Sequence, residues 1–299
     1  MYEKGVSKEK AFNPDESPMF VGGDNRATVE LDPDHPGFRD KAYRERRNAI
    51  AQIAVDYKPG QPIPNVDYLP EEHDVWRIVR EKLRPEHEKH ACTEYLKYAD
   101  KLELPEDRIP QLNEVSEKIY PLTGFRLEPV AGLVSPRGFL EVLKDRVFLA
   151  TQYIRHYSVP LYTPEPDIVH EVIGHSCQLA SPIFADINRV IGKAVARTKT
   201  QQGMDALSRI FWFTIEFGVV MEDGEPKAYG AGLLSSAGEL DYFATQAELV
   251  PIDFHRMATQ EYDVTQYQPI LFYADSFDHL QRTMYDFFNN WHDDYWAQN

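Results

Sequence analysis

In the first half of the chain, apolar residues recur every three or four positions, the spacing of helices that bury one face. From Asp40 to Tyr57 the recurring positions are Tyr43, Ala49, Ile50, Ile53, Ala54 and Tyr57, and Gly60-Gln61-Pro62-Ile63-Pro64 ends the run. Val75, Ile78, Val79 and Leu83 predict a second helix, and a third is predicted from Pro85 to Asp100. Extended signals are short. They are Val147-Phe148-Leu149-Ala150, and Val219-Val220-Met221 meeting Lys227-Ala228-Tyr229 across a turn whose Asp223-Gly224 pair favours a hairpin. Helical spacing returns over 185–198, 204–213 and 276–291. The pattern predicts an α+β chain that is mainly α, with short β-hairpins. Residues 1–29, polar and broken by Pro14, Pro18 and Gly22-Gly23, read as a loosely ordered arm before one domain over 30–299. No repeat, low-complexity linker or glycine-rich phosphate loop divides that domain.

Charge and composition narrow the function. The 299 residues include 48 Asp and Glu against 32 Lys and Arg, a formal charge of −16. Such a chain repels phosphate backbones and anionic lipid, and no basic patch offsets this, so neither nucleic acid nor membrane is an expected partner. The 12% aromatic content belongs to a packed core rather than a disordered chain. No apolar run approaches the ~18 residues of a membrane span. Residues 1–10 are charged with no apolar stretch behind them, so no secretory leader is expected. Cys92 and Cys177 are too few for a disulfide framework and lack CxxC spacing, and they read as free thiols of a cytoplasmic protein.

The chemistry concentrates in Thr163-Pro164-Glu165-Pro166-Asp167-Ile168-Val169-His170-Glu171-Val172-Ile173-Gly174-His175. Two histidines five apart on an ideal helix point about 140° away from each other, which excludes the geometry of the HExxH zinc proteases. For both rings to reach one ion, the backbone must depart from ideal helix, either at the helix entry after Pro166-Asp167 or near Gly174. The competing reading is that they are hydrogen-bonded core residues. In Ile210-Phe211-Trp212-Phe213-Thr214-Ile215-Glu216-Phe217-Gly218-Val219-Val220-Met221 a single carboxylate sits among apolar residues, and burying it unpaired costs several kcal/mol. It must be protonated, paired with a cation such as Arg209, or bound to a metal. Two imidazoles and one carboxylate would form the open-sided facial triad of non-haem Fe(II) oxygenases. Arg155 offers a bidentate site for a carboxylate, unless it is a surface residue. Gly230-Ala231-Gly232-Leu233-Leu234-Ser235-Ser236 would let backbone approach a ligand, or is a plain turn. Phe139, Phe211, Trp212 and Phe217 are core by default.

These segments resemble the pterin-dependent aromatic amino acid hydroxylases. The likeness is carried by Thr163–His175, Trp212–Gly218, Tyr229–Ser236, Thr151–His156, Gly60–Pro64, Asp34–Phe38, Ile109–Leu112 and Thr123–Leu133, in order along the chain. It is to the catalytic domain, most of all to that of the phenylalanine-hydroxylating branch. The resemblance implies a basket-shaped, mainly helical domain around one non-haem iron, with Fe(II) and a tetrahydropterin as cofactors and phenylalanine as the substrate converted to tyrosine with O2. Tyrosine and tryptophan hydroxylation are the alternatives within the family. It further implies that His170, His175 and Glu216 hold the iron and that Glu171 is an acid beside the pterin. Phe139 would stack on the pterin, with the backbone of Gly132, Leu133 and Val134 along its edge. Arg155 would clamp the substrate carboxylate with help from Thr163 and Ser235, while Trp212 and Phe217 shape the ring pocket. The chain departs from the usual family pattern at Pro136, Phe211 and Ser176-Cys177-Gln178. With no heptads near its end, an unregulated monomer is expected. Outside the family, the rival readings are a zinc hydrolase with Glu171 as general base, which the i+5 spacing disfavours, and a non-catalytic metal-binding module.

Overall fold

A computed structural model describes residues 19–21, 27–29 and 31–297. Most of the expected N-terminal arm lies outside the described residues. Within it, however, β1 (Met19–Val21) and β2 (Ala27–Val29) pair antiparallel. The Val29 amide donates to Asn48 Oδ1 at 2.8 Å, and its side chain packs with Leu31, Ala51 and Ala131 in a small apolar cluster. Burial of those few side chains anchors Val29 to the domain.

The chain then forms α1 (Lys41–Asp56), α2 (Pro70–His90), α3 (Thr93–Leu102), α4 (Leu112–Thr123), β3 (Arg126–Pro129), α5 (Pro136–Glu141) and β4 (Val147–Ala150). A π-helical turn over His170–Ser176 runs into α6 (Cys177–Leu179), followed by α7 (Pro182–Arg197) and α8 (Gln201–Phe211), which is itself extended by a π turn over Trp212–Glu216. Next come β5 (Val219–Glu222), β6 (Glu225–Ala228), α9 (Ala231–Leu234), α10 (Ala237–Thr245), β7 (Glu248–Pro251), α11 (Phe254–Thr259), β8 (Ile270–Ala274) and α12 (Phe277–Asn289).

The first helix forms where its spacing predicts, and Asp40 caps it by accepting from the Tyr43 amide at 3.0 Å. The expected third helix does not begin at Pro85, which sits inside α2. The bond that proline forfeits is to Glu81 O, one turn back on an exposed face where water can take it. The break comes instead at Ala91-Cys92, where the Cys92 amide leaves the helix to donate to Ala228 O at 2.9 Å. Asp223-Gly224 makes the predicted hairpin between β5 and β6, with φ of 53° and 84° as a type I′ turn requires. The strands after β2 other than β5 and β6 pair in parallel. β3 pairs parallel with β4, and β8 lies parallel to both β5 and β7 in a sheet of order β6-β5-β8-β7. Parallel partners lie far apart in sequence, so local turn signals do not announce them.

One buried ion cluster anchors α1 to the loop before the first π turn. Arg47, 2% exposed, donates to Glu165 Oε1 at 2.9 Å and lies 3.2 Å over the Tyr153 ring, while His35 Nε2 is 3.4 Å from the same carboxylate. Burial alone would raise Glu165, but the His35 and Arg47 partners outweigh it and hold the group down at about 2. Its folded pKa is depressed, so its stabilisation is present above the ordinary value of 4.5 and is lost as pH falls toward 2. Glu165→Gln is therefore expected to cost about 3 kcal/mol at pH 7, and the gap from wild type should narrow below about pH 4.5. Urea unfolding of both proteins at pH 7, 5 and 4 checks this.

Candidate metal centre

Both segments that carry the predicted ligands are wound as π-helix. Over His170–Ser176 the bonding is i to i+5, so residues five apart are brought toward one face instead of diverging by the about 140° of an α-helix. The departure from ideal helix therefore spans the whole turn, not just its entry or Gly174. Gly174 serves the packing, because a Cβ there would meet Ala231 O at 2.7 Å. The second π turn is closed by the Phe217 amide donating to Trp212 O at 2.9 Å, which aims Glu216 at the two rings. The glycine of Tyr229-Gly230 lets α9 pass against the Glu216 carbonyl, and a side chain there would collide with it. The close approach expected of this motif is to backbone, not to a ligand.

His170 Nε2 and His175 Nε2 lie 2.9 Å apart, and Glu216 reaches them with Oε2 at 3.4 Å and Oε1 at 3.0 Å. These donors all fall within 4.8 Å of one another. An ion bound at about 2.1 Å with 90° between ligands requires donors about 3.0 Å apart, so the three occupy one face of an octahedron. Three electron-rich atoms converging in a partly buried site favour a cation between them, so the residues fit a first-row divalent metal. Arg209, the alternative partner for Glu216, reaches instead to Ala258 O at 3.5 Å. Burial lowers His170 to about 4 against the pull of Glu216, leaving the neutral imidazole a metal needs. Burial also opposes protonation of His175, but the Glu216 carboxylate prevails and raises it. In turn the two histidines hold Glu216 below its ordinary value despite its burial.

Ser235, read from the sequence as a substrate contact, has its hydroxyl 2.9 Å from His170 Nδ1 and 3.4 Å from Gly232 O. By accepting from Nδ1–H and donating to the carbonyl it keeps Nε2 unprotonated toward the centre. Glu171 is buried beside the histidines and accepts at Oε1 from the Thr151 amide at 3.2 Å and the Thr151 hydroxyl at 3.0 Å. Burial pushes it up to about 7 although His175 and Thr151 pull the other way.

Arg155 is 4% exposed and is no surface arginine. Its Nε and Nη2 donate to Asp167 Oδ2 and Oδ1 at 2.8 and 2.7 Å, and its amide donates to Oδ2 at 2.8 Å. The fork is thus held from within by a fully buried aspartate. Asp167 also takes the His170 amide on Oδ1 at 3.4 Å, joining the arginine to the start of the π turn. The sequence marks Asp167 as a helix entry and gives no sign of its pairing with Arg155. Its only signal was an acidic side chain just ahead of an apolar helix, a cap position. Thr163 is engaged in its own loop, with its hydroxyl donating to Glu165 O at 2.8 Å.

The aromatic residues fall in two groups. Trp212 lies between Phe217 and Tyr262, with ring centroids at 4.5 and 4.4 Å, and its Nε1 donates to Gln268 Oε1 at 3.1 Å. Tyr262 and Gln268 come from a loop with no periodicity and were not foreseen. Phe139 meets Phe148 and Phe211 edge-on at 5.3 and 5.9 Å, and those two rings lie 4.7 and 6.4 Å from His175. Gly132, Leu133 and Val134 precede α5, which Ser135 caps by accepting from the Gly138 amide at 3.2 Å. Pro136 occupies the first turn of that helix, where its missing N–H costs no intrahelical bond.

A facial pair of histidines with one glutamate, set in a mainly helical α+β domain, defines the class of mononuclear non-haem metalloproteins. The chain belongs to the biopterin-dependent aromatic amino acid hydroxylases, whose family model matches residues 24–298. It is 46% identical over 264 residues to human phenylalanine-4-hydroxylase, covering 87% of this chain and 58% of that one. Bovine tyrosine 3-monooxygenase is 47% identical over 253 residues, covering 83% and 51%. Phenylalanine 3-hydroxylase of Streptomyces coeruleorubidus is 44% identical over 260 residues, covering 87% and 93%. The chain thus spans little more than half the length of the animal relatives. Among solved structures, phenylalanine hydroxylase from Chromobacterium violaceum with bound iron(III) and 7,8-dihydrobiopterin superposes with a TM-score of 0.69 at 31% identity, covering 74% of this chain and 81% of that one. Among the described residues no helix is long and apolar enough to cross a membrane.

Proposed function

We propose that the chain is a phenylalanine 4-monooxygenase, hydroxylating L-phenylalanine to L-tyrosine with O2 and a tetrahydropterin at one Fe(II) held by His170, His175 and Glu216. The observation that carries this reading is the triad itself, with its donors within 4.8 Å and an aromatic wall on the segment that bears its carboxylate. When bound, iron and pterin supply the activation of O2, and the open side of the triad gives oxygen and cofactor access. The chain's own residues do the rest. Arg155, braced by Asp167, receives the substrate carboxylate with Thr163 alongside. Ser235 serves the substrate indirectly, by fixing the His170 tautomer. Glu171, with Oε1 tied to Thr151 and its pKa pushed up to about 7 by burial, can take up or release a proton near neutral pH. Phe139, backed by Phe148 and Phe211, offers its face to the pterin, and the backbone of Gly132, Leu133 and Val134 lies at hand for its edge.

Trp212 and Phe217 wall the substrate ring. Trp212→Phe removes volume and is expected to raise the tryptophan-to-phenylalanine ratio of kcat/KM, by tens-fold at most, since one pocket contact is worth about 1–3 kcal/mol. Competition of both amino acids in one vessel measures the ratio, and a shift the other way would make Trp212 a core residue. A monomer is supported by α12, whose Leu280, Met284, Phe287 and Phe288 are buried in the domain rather than presented as a seam, and size-exclusion chromatography tests it. The free, buried Cys92 and Cys177 fit a reducing cytoplasm.

The test of the activity is product analysis after incubation with Fe(II), O2, tetrahydropterin and each aromatic amino acid. Para-tyrosine from phenylalanine is the result expected. Meta-tyrosine, the product the Streptomyces relative's name describes, or turnover of tyrosine or tryptophan alone, would overturn the assignment.

A further inference from the structure

Gln178 follows His175 by three residues, so both side chains lie on one helix face. The side chain is fully buried. Its Nε2 donates to Ile215 O at 3.0 Å and to Tyr229 O, which uses both amide hydrogens. Its Oε1 is a buried acceptor with no hydrogen-bond partner. A buried amide oxygen in that state costs free energy unless a donor comes to it.

The donor is at hand on the neighbouring ring. His175 Nε2 faces His170 Nε2 at 2.9 Å and Glu216 Oε1 at 3.0 Å, so Nε2 is the metal-facing atom and Nδ1 turns away. The rings beside it, Phe148 and Phe211, offer no acceptor. The Gln178 side chain, by contrast, lies one turn along on the same helix face and carries a buried oxygen without a partner. Metal-bound imidazoles need an acceptor on the second nitrogen, as Ser235 provides for His170.

We infer that Gln178 is a positioning residue of the metal centre: its Oε1 accepts Nδ1–H of His175 while its Nε2 ties that histidine to the carbonyl preceding Glu216. The acceptor sets the His175 ring, while the donor holds the two π turns together as part of the fold. A leucine here could do neither, and would leave the Ile215 and Tyr229 carbonyls without this donor.

The inference rests on the metal reading above, and the test separates the two. Fe(II) affinity is measured by anaerobic chelator competition, together with the Tm of the metal-free protein, for wild type, His175→Ala, Gln178→Leu and Gln178→Glu. Loss of binding in His175→Ala establishes the site independently of Gln178. Gln178→Leu is expected to bind Fe(II) about ten- to a hundred-fold more weakly than wild type. Gln178→Glu keeps an acceptor for His175 but cannot donate to the two carbonyls, so its Fe(II) affinity should stay within a few-fold of wild type while its Tm falls. Wild-type affinity in Gln178→Leu, or equal weakening in both variants, would overturn the inference. If Gln178→Leu does not fold, Gln178→Glu decides alone, with retained affinity supporting the role and a loss of ten-fold or more refuting it.

Discussion

Glu216→Ala is expected to fold, to lose Fe(II) affinity by far more than about a hundred-fold, and to show no detectable hydroxylation. Partners of metal ligands are worth about ten- to a hundred-fold each, and a ligand itself is worth more. Glu216 is also the one anionic donor of the three, and its carboxylate bridges both rings at 3.0 and 3.4 Å. With it gone, two neutral imidazoles remain, too few to anchor an ion that must keep open positions. Anaerobic calorimetric titration with Fe(II), alongside a turnover assay, checks both halves. An active Glu216→Ala protein would remove the triad from the chemistry.

Asp167→Ala is expected to lower stability by about 3–5 kcal/mol, because it leaves the Arg155 guanidinium buried without its counter-charge. For a domain of this size that corresponds to a fall of roughly 10 °C in Tm. The same change frees the arginine fork from its brace, so the KM for the amino acid should rise while that for the pterin moves little. Arg155→Lys, which preserves charge but not the planar fork, should raise the amino acid KM about ten- to a hundred-fold, the worth of a charge-assisted hydrogen bond. Thermal unfolding and paired KM determinations test these outcomes, and equal changes in both KM values would make Arg155 a purely structural residue.

Features written in short-range pattern were legible in the sequence. The periodicity of Tyr43 to Tyr57 gave α1, and Asp223-Gly224 gave its hairpin. His170 and His175 five apart could share an ion only on a backbone other than α-helix, and metal binding was one of three fates open to the isolated Glu216 carboxylate; the family resemblance singled out the triad that the geometry brings together. What escaped was set by tertiary context. Pro85 looks like a helix start but is tolerated inside α2 because the bond it forfeits faces solvent. The parallel pairing of β8 with β5 and β7 joins segments with no turn between them. Asp167 looks like a loop acid, yet it is fully buried against Arg155. Ser235 acts on a histidine ring that comes to it from 65 residues away. Tyr262 and Gln268 brace Trp212 from a loop whose sequence gives no hint of that contact.

The most direct test of the central claim is an anaerobic titration of metal-free protein with Fe(II), each point assayed for tyrosine formation from phenylalanine, O2 and tetrahydropterin. The account predicts that activity rises linearly to one equivalent of Fe(II) and then stays flat, with none at any level of Zn(II). Tyrosine formation by the metal-free protein, or activity supported by zinc, would contradict it.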